Sequence, residues 1–184
     1  MEPTKRPKLG RESWLRIGLE ALADGGPKEL RAARLARKVG VTTGSFYWHF
    51  ECRDDFRSAL LVYWKDDVIV GLMRAAREAS PDPEKVLLEL RRRILESGAH
   101  RYDAAMRNWA RTDPLVEDTV RDTDALRSTF LVEEFRKTGM NEQEAIDRAQ
   151  LIGAAWRGSQ DVAGPQYRMR LIKLASATQE SRDN

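Results

Sequence analysis

Apolar residues recur every three or four positions along most of the chain, the period of a helix with one buried face. From Arg11 to Asp24 they fall at Trp14, Ile17, Gly18, Ala21 and Leu22, a single stripe. Gly25-Gly26-Pro27 stops that helix, glycine supplying a left-handed cap and proline refusing continuation. Leu35, Ala36 and Val39 predict a short helix over Arg31–Val39, broken by Gly40. Thr42 is a good N-cap for a further helix over Thr43–Phe50. A long helix then covers Asp54–Ser80. Phe56, Leu60 and Tyr63 lie on one stripe, and Leu61, Trp64, Val68 and Leu72 on another, which predicts burial on two sides. Pro81-Asp82-Pro83 ends it.

Four more helices follow over Glu84–Ser97, Arg101–Arg111, Leu115–Lys137 and Glu142–Gly158. Gly139 caps the third, and Asn141 with Glu144 resembles a capping box at the start of the fourth. Gly164-Pro165 precedes a last helix over Gln166–Ala177, and the tail from Glu180 is expected to fray. No stretch alternates with the period of a strand, and no repeat or low-complexity tract appears. The predicted fold is all-α.

Composition removes several classes of function. With 41% hydrophobic against 33% charged residues in 184, a buried core is within reach and wholesale disorder is excluded. No apolar run approaches the roughly 18 residues of a membrane span. Lys5, Arg6 and Lys8 are not followed by the apolar block of a signal peptide, so the expected location is cytoplasmic, away from any membrane. Cys52 is the single cysteine, which excludes an internal disulfide and any cysteine-rich metal centre. His49 and His100 are the only histidines and have no zinc-site spacing. Asp66 and Asp67 lack a companion ligand and read as a solvated face. Neither a metal nor a cofactor is predicted. No nucleophile elbow, phosphate-binding loop or dinucleotide fingerprint is present, so an enzyme is not expected; one built on this chain would have to hide its chemistry in the C-terminal helices.

Charge is unevenly spread. Residues 1–53 hold 11 Lys/Arg against 6 Asp/Glu, a net of +5, whereas the rest of the chain is net −2. That is the footprint of a segment that meets a polyanion. Within it, Leu30–Phe50 places two short helices around a turn containing Gly40, with Ala36 small enough for close crossing. This is helix-turn-helix spacing. Phe46 and Phe50, four apart, face inward; Thr42, Thr43, Ser45, Tyr47, Trp48 and His49 fall elsewhere. Exposed hydroxyls and flat rings on so short a helix suit a DNA major groove. The alternative is that Tyr47 and Trp48 belong to a larger core.

Residues 11–60 resemble the DNA-binding domain of the TetR family of bacterial transcriptional regulators. The resemblance rests on Trp14, Ala21-Leu22, Gly26, Leu30, the run Leu35-Ala36-Arg37-Lys38-Val39-Gly40-Val41, and Thr43-Gly44-Ser45-Phe46-Tyr47-Trp48-His49-Phe50. It implies an N-terminal DNA-binding domain over residues 1–53 and a helical effector-binding and dimerisation domain over 54–184. It also implies that Thr42, Thr43, Gly44 and Ser45 lie near bases. Tyr47, Trp48 and His49 would meet phosphate and sugar, Arg53 would clamp the backbone, and Arg31 would serve from the start of the second helix. Cys52 departs from the family's Ser or Asn and is a poor N-cap; Ala32 and Ala33 stand where a hydroxyl or basic group is common. Arg111-Thr112-Asp113-Pro114, with Val116, is similar to a turn found in some members.

For the C-terminal part, Trp64, Tyr102, Met106, Trp109 and Phe130 are candidates to line an apolar effector cavity. Aromatics at helical spacing are by default simply core. Family members pair their last two long helices with a second subunit, and on Glu142–Gly158 the stripe Ala149, Ile152, Gly153 and Trp156 is the candidate interface. An amphipathic helix can equally pack inward. The expected function is a homodimeric regulator, a repressor that binds a palindromic operator in double-stranded DNA and is released by a small molecule. A DNA-binding dimer without a ligand switch and a helical interaction protein are the alternatives.

Overall fold

Tryptophan, leucine and glycine set the first helix. In a computed structural model, which describes residues 9–158, α1 runs Arg11–Gly25 and buries Trp14, Leu15, Gly18, Leu19, Ala21 and Leu22 along one side. Gly26, at φ +78°, turns the chain out of the helix while its N–H meets the Leu22 carbonyl at 2.8 Å. A 3-10 turn over Pro27–Glu29 leads to α2, Ala32–Lys38, and α3, Thr43–Tyr47. α4, Arg53–Val62, continues through a π-helical segment, Tyr63–Val70, into α5, Gly71–Ala79. Then come α6, Pro83–Glu96; α7, Ala99–Ala110; α8, Pro114–Lys137; and α9, Glu142–Gly158. The described residues contain no strand, and the fold is all-α with a helix-turn-helix near its start. No helix among them is long and apolar enough to cross a membrane. The helix expected over Gln166–Ala177 and the tail beyond it lie outside the described residues.

The long helix differs from its sequence reading in one respect. Phe56, Leu60 and Trp64 are buried four apart, but the next buried positions are Ile69, Met73 and Ala76. Val68 and Leu72, expected on the buried stripe, are only half-buried, and so is Tyr63. The step of five from Trp64 to Ile69 spans the π-helical segment, which takes up one extra residue without ending the helix. Leu61 and Trp64 of the second expected stripe are buried beside Phe56 and Leu60 of the first, and beyond Trp64 the buried positions continue with the register shifted by one residue.

Contacts gather the chain into two units. One holds the residues up to Val70 with Gly98–Val120, the other Gly71–Ser97 with the residues from Arg121 on.

In the first unit α1 is central, packing on α2, α4 and α7. A Cβ at Gly18 would lie 2.7 Å from Phe56 Cζ and 3.1 Å from Leu60 Cδ1, so glycine sets how closely α1 and α4 approach. Polar ties reinforce the packing. Asp24, near the end of α1, accepts from Lys38 Nζ of α2 at 2.7 Å and from Arg101 of α7 at 2.8 Å. The hydrogen bond from Lys38 and the nearby Arg101 charge hold the Asp24 carboxyl below the usual carboxylate range. The Arg111–Pro114 turn is formed as well. Asp113 Oδ1 accepts from the Leu115 and Val116 N–H groups at the head of α8, while Oδ2 accepts from Arg57 of α4 at 2.9 Å.

In the second unit α5 packs on α6. Phe135, Ala145 and Ile152 form a core against which Leu87, Leu131, Val132 and Met140 pack. Glu134 is buried, a position a carboxylate tolerates only when its oxygens are met. Arg77 at 2.7 Å and Lys137 at 2.8 Å both donate to its Oε1, and the Arg77 guanidinium also lies 4.3 Å over the Phe130 ring. The capping box of α9 is reciprocal, as its sequence predicts: Glu144 N–H donates to Asn141 Oδ1 at 3.0 Å and Asn141 N–H to Glu144 Oε2 at 3.1 Å.

Candidate nucleic-acid interface

A five-residue helix such as α3 has no stability of its own, because nucleation fixes more dihedrals than so few hydrogen bonds repay. Its position comes from two phenylalanines. Phe46 and Phe50 are both 1% exposed and sit against Trp14 and Phe56. The Phe46 centroid lies 5.5 Å from Trp14, 5.0 Å from Phe50 and 5.0 Å from Phe56. On the other side of the turn, Leu35 and Ala36 of α2 are buried. Gly40, at φ +70°, lets the Val41 N–H reach back to the Ala36 carbonyl at 3.0 Å and reverses the chain between α2 and α3.

Anchoring α3 by one face leaves the other to solvent. Thr42, Thr43 and Gly44 are exposed and Ser45 is half-exposed. Tyr47 is 57% and Trp48 84% exposed, so neither ring belongs to the core of the chain. The hydroxyl of Thr42 does not cap α3; the Ser45 N–H goes instead to the Thr42 backbone carbonyl at 3.1 Å. The expected side-chain cap is therefore absent, and the hydroxyl lies on the exposed face. Gly44 is also informative. A Cβ there would meet only Thr42 Oγ1, at 3.7 Å, and its φ is not in the left-handed region. The fold does not require glycine at this position.

The flanking cations are exposed too. Arg31 is the N-cap residue of α2 and Arg53 the first residue of α4. Cys52 does serve as the N-cap of α4: its Sγ accepts from the Asp55 N–H at 3.5 Å. A thiol is a weak acceptor, and Asp55 reinforces it by accepting from the Glu51 N–H at 2.9 Å. Aspartates 54 and 55 in the first turn add a favourable charge at the helix start. His49, by contrast, is half-buried and engaged, with Nε2 2.8 Å from the Leu9 carbonyl. Nothing in its sequence neighbourhood signalled that contact, because the partner is a backbone atom forty positions away.

Residues 15–60 match the profile of the bacterial regulatory proteins of the tetR family. Over 53 residues the chain is 42% identical to the class C tetracycline repressor protein of Escherichia coli, a stretch that is 29% of this chain and 24% of that protein. The N-terminal domain is that of the tetR family of bacterial regulatory proteins. Beyond the matched domain, the likeness to TetR-family proteins is one of fold. A transcriptional regulator from Rhodococcus sp. Rha1 superposes with a TM-score of 0.69 at 21% identity, covering 91% of this chain and 94% of that one. A TetR-family regulator from Agrobacterium tumefaciens gives 0.63 at 15%, covering 91% and 97%.

The C-terminal candidates fall in both units. Trp64, Met106 and Trp109 are buried and Tyr102 half-buried, all in the first unit. Phe130 is buried in the second, beneath Arg77. Burial, with Glu20 nearby, pushes the Tyr102 phenol up. On α9, Ala149 and Ile152 are buried within the chain, Ile152 against Phe135 and Ala145, and Gly153 is half-buried. Ala149 and Ile152 of the stripe expected to face a second subunit thus pack within the chain itself, as an amphipathic helix can. The exposed residues of α9 include Gln150, Leu151 and Ala154. The Trp156 side chain lies outside the described residues.

Proposed function

We propose that this chain is a transcriptional regulator that reads duplex DNA with α3. The observation that carries the reading is the division of labour within nine residues. Phe46 and Phe50 are buried, while Thr42, Thr43, Gly44, Tyr47 and Trp48 are exposed, as are Arg31 and Arg53. Hydroxyls and flat rings at base edges and sugars, with cations on phosphates, are the components of major-groove recognition. In the cytoplasm of a bacterium the chain would act as a homodimer on a roughly palindromic operator, and a small molecule held in the C-terminal part would release it. Resemblance to the family supports this part of the proposal. The buried aromatics of the first unit, Trp64 and Trp109 foremost, are the place to look for the effector.

Selection of duplexes from a random-sequence library, read by gel shift, tests the reading; recovery of no preferred sequence would end it. Gly44→Ala separates recognition from folding. Because a Cβ at Gly44 meets nothing closer than 3.7 Å, alanine fits the helix. It should leave stability unchanged or raise it by up to about 1 kcal/mol. Binding to the selected duplex should fall about tenfold or more, since each misfit at a base edge costs roughly 1–3 kcal/mol. Arg53→Ala should instead weaken all duplexes alike and reduce the salt slope by about 1. Equal binding by Gly44→Ala and the parent would place the DNA elsewhere.

A further inference from the structure

The carboxylate of Asp24 joins three helices of the first unit. Its Oδ2 accepts from Lys38 Nζ, at the end of α2, at 2.7 Å. Its Oδ1 accepts from Arg101 Nη2, in the first turn of α7, at 2.8 Å. Helix stability does not account for these two charges. Asp24 lies in the last turn of α1, where the helix dipole disfavours an anion, and Arg101 lies where the dipole of α7 disfavours a cation. That last turn holds no basic residue and that first turn no acidic one, so neither charge is offset in its own terminal turn. Each is favourable only toward the other helix. Lys38 is also the last residue of α2, and residues 39–42 lead from it into α3. On the far side, α7 carries Tyr102 directly after Arg101, with Met106 and Trp109 beyond.

We propose that Asp24 is a positioning residue for DNA reading: by clasping the end of α2 to α7, it holds α3 ready for the groove and makes that readiness depend on α7. The proposal rests on the DNA-binding function proposed above and gives its regulation a route. A molecule held by Tyr102, Met106 and Trp109 acts on α7, and α7 acts on α2 through one carboxylate. Holding a binding element in its bound arrangement raises affinity by lowering the cost of ordering it, so release of the clasp weakens binding. All three side chains reach solvent, and exposed ion pairs are worth little singly, so the clasp tunes affinity and does not switch it off.

Fluorescence anisotropy with the intact chain and a labelled duplex of the selected sequence tests this. Removing an anion from a DNA-binding unit would by itself make Asp24→Asn bind more tightly, through relief of charge repulsion. Under the proposal it binds more weakly, by up to about fivefold, the scale that exposed ion pairs support. Arg101→Ala should weaken binding on the same scale, and Arg101→Lys should keep most of the parent's affinity. The deciding result is the double-mutant cycle: in the Asp24→Asn background, Arg101→Ala has no further effect. A direct phosphate contact from Arg101 would instead subtract its own increment in both backgrounds and lower the salt slope by about 1, and that outcome overturns the proposal.

Two further measurements separate positioning from folding. The thermal midpoint of Asp24→Asn should stay near the parent's, because loss of the ion pairs is offset by relief at the end of α1. A midpoint lowered enough to account for the weaker binding makes the role structural and overturns the proposal. By reciprocity, the duplex should slow amide hydrogen exchange in α7 several-fold in the parent and not in Asp24→Asn. The same slowing in both proteins, or none in the parent, overturns the link. If the parent chain binds no duplex at any salt, the DNA-binding reading itself falls. If the parent binds and Asp24→Asn binds as well or better, only the present inference falls.

Discussion

Phe46→Ala is expected to remove about 3–5 kcal/mol from the stability of the first unit and to abolish DNA binding with it. Phe46 is 1% exposed and touches three other buried rings, those of Trp14, Phe50 and Phe56, with centroids 5.0–5.5 Å away. Truncation leaves a cavity that the surrounding rings are too rigid to fill, and α3 has no hydrogen-bonded length with which to survive alone. The loss is a large share of the ~5–15 kcal/mol that holds a domain together. Trp48→Ala is the control. At 84% exposure it has little packing to lose, and its effect on stability should stay within about 0.5 kcal/mol while duplex binding drops. Urea denaturation followed by far-UV circular dichroism, paired with a gel shift, measures both. An unchanged midpoint for Phe46→Ala, or a lowered one for Trp48→Ala, would reverse the assignment of inner and outer faces on which the proposed function rests.

That division was legible because it depends on local spacing. Phe46 and Phe50 stand four apart with Tyr47, Trp48 and His49 between them, and helix geometry alone puts the two phenylalanine rings on one side. The same holds for the Asn141–Glu144 box and for the stop at Gly25-Gly26-Pro27, where each residue acts on neighbours a few positions away. Gly18 showed in the sequence as a small residue on an apolar stripe, but its partners, Phe56 and Leu60, were not identifiable, since they come from another helix. Cys52 shows a different limit. Its sulfur is a weak acceptor as expected, but Asp55 reinforces the cap through a second hydrogen bond that a residue-by-residue ranking of caps does not include. Spacing puts His49 on the outer face with Tyr47 and Trp48, and only three-dimensional structure brings the Leu9 carbonyl to its ring. On α9 the period places Ala149 and Ile152 on one face but cannot specify which body that face packs against, and Ile152 packs with Phe135 of the same chain.

Deleting Asp67 is expected to leave the protein folded, whereas deleting Ser58 is expected to unfold it. In an α-helix each residue contributes about 100° of rotation and ~1.5 Å of rise, so losing one normally turns everything beyond it onto the wrong face. Ser58 lies in α4 between Phe56 and Leu60, both essentially buried, and its removal would rotate Phe56 away from the ring cluster. Asp67 is exposed and lies inside Tyr63–Val70, where the helix already carries one residue more than an α-helical register needs. Without it, Trp64 and Ile69 would be four apart. Met73 and Ala76 would follow at eight and eleven, so all four would fall on one α-helical stripe. The π-helical turn has poorer hydrogen bonding than the α-helix that would replace it, so the Asp67 deletion should match the parent in thermal midpoint or exceed it slightly. Residues of the Tyr63–Val70 sequence offer no proline or glycine to mark the turn, which is why the spacing of the buried positions is its only signature. Thermal melts by circular dichroism, with trypsin resistance as a second measure, compare the two deletions. If the Asp67 deletion melts as early as the Ser58 deletion, the extra residue is held by specific contacts of the π-helical turn and not merely accommodated by the helix around it.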